Sequence, residues 1–123
     1  MKNWSQDELQ RLAETDDLHI SPLRGDNATY GTPTWIWCVV VGDKLYVRAY
    51  NGRSSRWYKA AMRQKEGRIT AAGMTKNVVF QPGNIEAQGA IDAAYRNKYS
   101  NSPYLKPMVE SQAQAATVEI SPR

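Results

Sequence analysis

Arg53-Ser54-Ser55-Arg56 stands where a strand gives way to a helix, and these four side chains suit one kind of chemistry, the holding of an anion. Serine hydroxyls donate hydrogen bonds, and guanidinium groups pair with phosphate oxygens through charge-assisted bonds. A helix that begins at Ser54 or Ser55 also leaves backbone N–H groups and a partial positive charge at its start. Arg48 lies on the same strand face as Tyr46 and Tyr50 and can reach the same groove. The surrounding charge is lopsided. Residues 44–76 carry nine of the sixteen Lys and Arg and a single acid, Glu66, a local charge of +8 that leaves −4 for the rest of the chain. Such segregation fits either an anionic ligand (a phosphate, a nucleotide or a nucleic acid) or a solvated basic face.

Other reactive side chains are sparse. With one His and one Cys, a structural zinc site of the usual thiolate and imidazole type is all but excluded. His19 sits on a short strand, where a structural role outweighs general-base work. Cys38 lies inside an apolar run, where a thiol is inert. A Ser-His-acid triad would have to use that one His, and no such arrangement stands out. Asp16-Asp17 follows a helix end in a charged loop and needs no catalytic reading. Trp35, Trp37 and Trp57 read first as core or interface residues, and only second as platforms for a flat ring.

The elements that must position these residues follow from pattern. Ser5 and Glu8 form a capping box, with Trp4 and Leu9 as a hydrophobic staple, so a helix is predicted near residues 6–14. Leu18-His19-Ile20 is a short strand stopped by Pro22. Thr34 to Val41, β-branched and aromatic, predicts one buried strand. Gly42-Asp43 turns the chain into a second, Leu45 to Tyr50, whose residues alternate between faces. A helix then runs to about Lys65 with Trp57, Tyr58, Ala61 and Met62 inward. Strands at Arg68–Ala72 and Thr75–Phe80 form a hairpin about Gly73-Met74. A third helix spans roughly 85–99, with its first turn weakened by Gly89. Residues 100–115 read as irregular, and Thr117–Ser121 as a sixth strand.

Six short strands with a helix between the third and fourth strands of the barrel predict an α+β fold, a six-stranded antiparallel split β-barrel with flanking helices. The 123 residues, 41% hydrophobic and 23% charged, fit a single domain, residues 1–123. The longest apolar run, Trp35 to Val41, is too short for a membrane span, so no membrane partner is expected. Asp7 and Glu8 stand where a secretory signal would be apolar, and the lone cysteine suits a reducing compartment; the expected location is the cytoplasm.

Residues 45–52, the Ser54-Ser55-Arg56-Trp57-Tyr58 run and Gly67-Arg68-Ile69-Thr70 resemble the flavin- and deazaflavin-binding split-barrel proteins, the pyridoxamine-phosphate-oxidase and deazaflavin-dependent nitroreductase groups. In the latter a Trp-Tyr pair opens the helix after the third strand, as Trp57-Tyr58 does here. Over nearly its full length the chain resembles a small bacterial family catalogued as domain of unknown function 2255. The resemblance rests there on Leu18-His19-Ile20, Thr34-Trp35-Ile36-Trp37, Trp57-Tyr58, Ile91-Asp92-Ala93-Ala94-Tyr95 and Ala116-Thr117.

The split-barrel resemblance implies a homodimer with FMN or a deazaflavin in a groove between subunits. Its phosphate would sit at the strand–helix junction, among Arg48, Arg53, Ser54, Ser55 and Arg56, with Tyr50 and Trp57 beside it. Thr34 and Trp35 would lie beside the ring. One departure is plain: Lys59-Ala60-Ala61 replaces the Asn-Leu that commonly follows the Trp-Tyr pair in the nitroreductases. Two functions therefore stand side by side. One is a flavin- or deazaflavin-dependent oxidoreductase; the other is a non-catalytic module that binds an anionic small molecule or nucleotide, with no cofactor at all equally open. Nucleic-acid binding ranks last, because the −4 carried by the rest of the chain repels a long polyanion.

Overall fold

Leu45-Tyr46-Val47-Arg48 alternates between the two faces of a sheet, and the computed structural model, which describes residues 3–123, shows what each face covers. Leu45 and Val47 point into the main core with Leu18, Ile20, Ile69, Phe80, Val118 and Ile120. Tyr46 points the other way, into a second layer with Val39, Ile91, Tyr95 and Met108.

The elements follow in the order α1 (Gln6–Glu14), β1 (His19–Pro22), β2 (Thr34–Trp35), β3 (Cys38–Val41), β4 (Lys44–Arg48), α2 (Arg56–Gln64), β5 (Glu66–Ala71), β6 (Met74–Pro82), α3 (Gln88–Lys98), α4 (Leu105–Met108), α5 (Ser111–Gln114) and β7 (Thr117–Pro122). The strands form one antiparallel sheet in the order β2-β1-β5-β6-β7-β4-β3.

The sheet has seven strands rather than six, because the run Thr34–Val41 divides. Its first part pairs with β1, Trp35 facing His19, and its second part pairs with β4, Cys38 facing Val47. Only Ile36 and Trp37 separate the two parts, yet they are opposite edges of the sheet. The sheet must therefore curl until its edges nearly meet, an antiparallel half-barrel. Ile36 sits at the crossing, with its side chain in the core and its N–H donating to the Leu18 carbonyl at 3.0 Å.

The start of α1 is built as its sequence dictates. Ser5 Oγ accepts from the Glu8 N–H at 3.1 Å, and the Glu8 carboxylate accepts from the Ser5 N–H at 2.9 Å. Trp4 and Leu9 are both buried, and the Trp4 indole donates to the Ile120 carbonyl at 2.9 Å, tying the helix to β7. The β5–β6 turn falls on Ala72-Gly73, one residue earlier than expected. Both carry positive φ, 52° and 77°, as a two-residue hairpin turn of the mirror-image type demands. The third helix starts with a tighter 3-10 turn, Ile85–Ala87, before α3 takes over at Gln88. Residues 100–115, expected to be irregular, contain the one-turn helices α4 and α5. Pro107 fits within α4 because the first-turn N–H groups of a helix have no partner to lose. Among the described residues no helix is long and apolar enough to cross a membrane.

Candidate ligand-binding cavity

Strand β4 ends at Arg48, and the chain passes through a 3-10 turn, Gly52–Ser54, before α2 begins. That passage, the β2–β3 crossing and the α4 region surround one cavity of about 550 Å³. The size lies within the range of about 300–1,000 Å³ usual for small-molecule sites.

Its walls are aromatic. Trp35, Trp37, Tyr50, Trp57 and Tyr104 all line it, together with Ile36 and Met108. Trp35, Tyr50 and Tyr104 are 56%, 44% and 60% exposed, three of the four large hydrophobic side chains left open to solvent among the described residues. Tyr104 meets Tyr50 edge to face with ring centres 6.2 Å apart. Two rings are fixed from behind. The Trp35 indole donates to the Asp16 carbonyl at 2.5 Å, and Trp37 stacks flat on Tyr99 at 4.0 Å.

Most of the polar lining comes from the passage into α2. Ser55 takes the N-cap position of α2, yet its hydroxyl makes no capping bond, so the first N–H groups of the helix keep their donors free. Arg56, exposed, lines the cavity beside Ser55 and pairs with no carboxylate among the described residues. Asn51 and Thr34 complete the polar lining.

Arg48 also forms part of the wall, but its charge is already matched. Its side chain is wholly shielded, and its terminal nitrogens donate to Asp92 Oδ1 at 2.5 Å, the Met108 carbonyl at 3.0 Å and Gln88 Oε1 at 2.6 Å. Its Nε donates to Thr117 Oγ1 at 3.1 Å. The expectation that Arg48 pairs with a ligand anion gives way to a structural role: it pins the α3 and α4 side of the cavity to β4. Asp92 is braced in turn by Gln114 Nε2 at 2.9 Å.

Of the expected site residues, Thr34, Trp35, Arg48, Tyr50, Ser55, Arg56 and Trp57 come together around this cavity. Arg53 and Ser54 do not line it. Arg53 Nε donates to the Ala115 carbonyl at 3.0 Å, and Ser54 Oγ to the Asn51 carbonyl at 3.1 Å. The 3-10 turn carries them off the face that Ser55 and Arg56 present. Tyr104 and Met108 were missing from the sequence-based set. Their one signal was an aromatic side chain left in a stretch bounded by Pro103 and Pro107.

The remaining reactive groups lie elsewhere. Burial raises the Cys38 thiol above its ordinary range, against the lowering effect of the Lys98 ammonium, 3.6 Å from the sulfur. Tyr99, bonded to the Cys38 backbone, is likewise pushed up by burial. The His19 Nδ1 lies 2.8 Å from the Asp17 carbonyl, and Asp17 accepts from the Ala72 N–H at 2.9 Å, so this pair holds loops together.

The profile of a family of uncharacterized proteins conserved in bacteria, DUF2255, matches residues 8–120. The chain belongs to the DUF2255 family. No curated protein matches it at a significant level. Among solved structures, the DUF2255 chain is similar to the crystal structure of conserved hypothetical protein Rv2991 from Mycobacterium tuberculosis. The TM-score is 0.63 at 14% identity, over 97% of this chain and 79% of that one. At that identity the likeness concerns the fold alone.

Proposed function

We propose that this DUF2255 protein binds a flat, anionic aromatic molecule of the flavin or deazaflavin class and acts as an oxidoreductase with it. The observation that carries the reading is the meeting, in one cavity, of aromatic walls with an Arg56 that pairs with no carboxylate among the described residues and a helix start without a side-chain cap. Trp35, Trp57 and Tyr104 offer aromatic faces to a ring. A phosphate fits at Ser55, Arg56 and the first N–H groups of α2, where helix polarity and guanidinium act together. The curled sheet with nearly joined edges supports the kinship to split-barrel flavoproteins. No carboxylate, imidazole or thiol lines the cavity among the described residues. The residues fit such a cofactor, which would supply hydride transfer itself while the protein binds and orients it. The exposed Trp35, Tyr50 and Tyr104 support a homodimer whose second copy covers the cavity mouth.

The same lack of acid–base groups favours a second reading, a non-catalytic module that holds a nucleotide or another anionic ring compound. The test is the absorption spectrum of freshly purified protein from a host that makes deazaflavin, followed by titration with FMN. A bound chromophore, or saturable FMN binding, is the expected result. Bound cofactor without turnover of reduced nicotinamide would transfer the case to the binding module. Colourless protein that takes up neither cofactor would overturn the flavin reading.

A further inference from the structure

One ring in the cavity wall is held more firmly than the others. Trp37 lines the cavity, and Tyr99 lies flat behind it, with ring centres 4.0 Å apart and planes 2° from parallel. Tyr99 is fixed in turn: its hydroxyl accepts from the Cys38 N–H at 3.3 Å and donates to the Cys38 carbonyl at 3.2 Å. The hydroxyl of the buried Tyr95 donates to the Trp37 carbonyl at 3.3 Å, so the backbone is held as well as the ring. The other wall aromatics have no flat ring behind them among the described residues. Trp57 meets Tyr58, and Tyr50 meets Tyr104, edge to face, while Trp35 is anchored through its indole N–H.

We propose that the face of Trp37 turned away from Tyr99 is a stacking platform for flat, electron-poor rings, so that the site binds the oxidised form of its ring ligand more tightly than the reduced form. The assignment rests on the cavity reading for the class of ligand. The stack with Tyr99 leaves Trp37 one face, and a rigid, pre-set face keeps its full complementarity only for a partner that is itself flat. Oxidised flavin is planar and short of electrons. The reduced ring bends about its central nitrogens and is rich in electrons, so it loses on both counts against an indole. Lys98 pulls the other way, because its ammonium lies 5.3 Å from the Tyr99 ring centre and draws on that ring's electrons. Its pull is the smaller effect: the ammonium is shared with the carbonyls of Cys38 at 2.7 Å and Leu12 at 3.2 Å, and it acts through one more ring.

Two benzoates of like shape and charge test the platform without any flavin. They are 3,5-dinitrobenzoate, electron-poor, and 3,5-dimethylbenzoate, electron-rich, titrated calorimetrically into the full chain with the indole N–H resonance of Trp37 as a second readout. The dinitro compound is expected to bind about tenfold more tightly and to shift that resonance. Trp37→Leu should erase the preference, Trp37→Phe should keep part of it, and Trp35→Leu should keep it whole. Equal affinity for the two, no saturable binding by either, or a preference that survives Trp37→Leu overturns the platform. Oxidised and dithionite-reduced FMN, titrated without oxygen, separate the platform from the flavin reading. The oxidised form is expected to bind about tenfold more tightly, which lowers a two-electron potential by about 30 mV. FMN bound equally in both states keeps the flavin and overturns the platform, whereas benzoate preference without FMN binding removes the flavin and keeps the platform.

Discussion

The guanidinium of Arg48 and the carboxylate of Asp92 meet at 2.5 Å across the wall of the cavity, one from β4 and the other from α3, 44 residues later in the chain. The Arg48 side chain is wholly buried and that of Asp92 nearly so. Asp92→Ala strands a buried cation, so it should cost about 3–5 kcal/mol in urea unfolding. Asp92→Asn, which keeps an acceptor oxygen, should cost less. Equal stability of the Ala variant and the parent would show that the pair is not what holds the wall.

Tyr104 reaches the cavity from the α4 region, its ring against Tyr50. Tyr104→Ala removes stacking area and no charge, so it should weaken FMN binding about tenfold and leave orthophosphate binding within twofold. Arg56→Ala should do the opposite for the bare anion, removing orthophosphate binding altogether. Isothermal titration of both variants with both probes gives the four numbers needed.

Much of this site lies in short contiguous stretches, and such stretches are legible in a sequence. Thr34-Trp35 and Ser55-Arg56-Trp57 each bring neighbours to the cavity together, and the alternation of β4 puts Tyr46 and Arg48 on one face. What stayed hidden depends on distance or on turn geometry. Asp92 reaches Arg48 only because α3 packs over the sheet, and no local pattern marks that pairing. Tyr104 and Met108 belong to helical turns too short to show a period. Arg53 and Ser54 are adjacent to Ser55 in sequence, but the 3-10 turn rotates them away. The break at Ile36-Trp37 left no mark either, because residues on both sides of it are apolar and the run reads as one strand.

Glu8 gives a pH signature. The ion pair with Lys76 at 2.7 Å and the hydrogen bond from the Ser5 N–H hold its carboxyl below the ordinary glutamate range. A depressed folded-state value means that the stabilisation is present above the unfolded-state pKa and disappears as the pH falls through the folded one. Glu8→Ala should therefore cost about 1 kcal/mol at pH 7 and nothing once the pH is below both values. Unfolding midpoints of parent and variant, followed from pH 7 downward, measure the difference; a gap that does not shrink as the pH falls would point to packing instead.

Gly67 of β5 lies opposite Pro22 of β1. A Cβ there would come within 2.7 Å of the Ser21 carbonyl oxygen, the Pro22 Cα and the Phe80 ring. Two of those three atoms are backbone and cannot swing aside. Gly67→Ala should lower stability by about 1–3 kcal/mol without touching the cavity, read as a shift of the urea midpoint at unchanged m-value.

Strand β7, residues 117–122, is the final strand of the fold in chain order, yet it lies between β4 and β6 inside the sheet. On a ribosome, the hairpins β3–β4 and β5–β6 emerge first, each with an open edge awaiting the same partner. Until residues 117–122 clear the exit tunnel, neither edge has its neighbour, and the Trp4 indole has no Ile120 carbonyl to meet. Folding of this chain is therefore completed after synthesis of the strand rather than during it. Until then the nascent protein carries the unpaired edges of β4 and β6, the state in which β proteins most readily associate with one another.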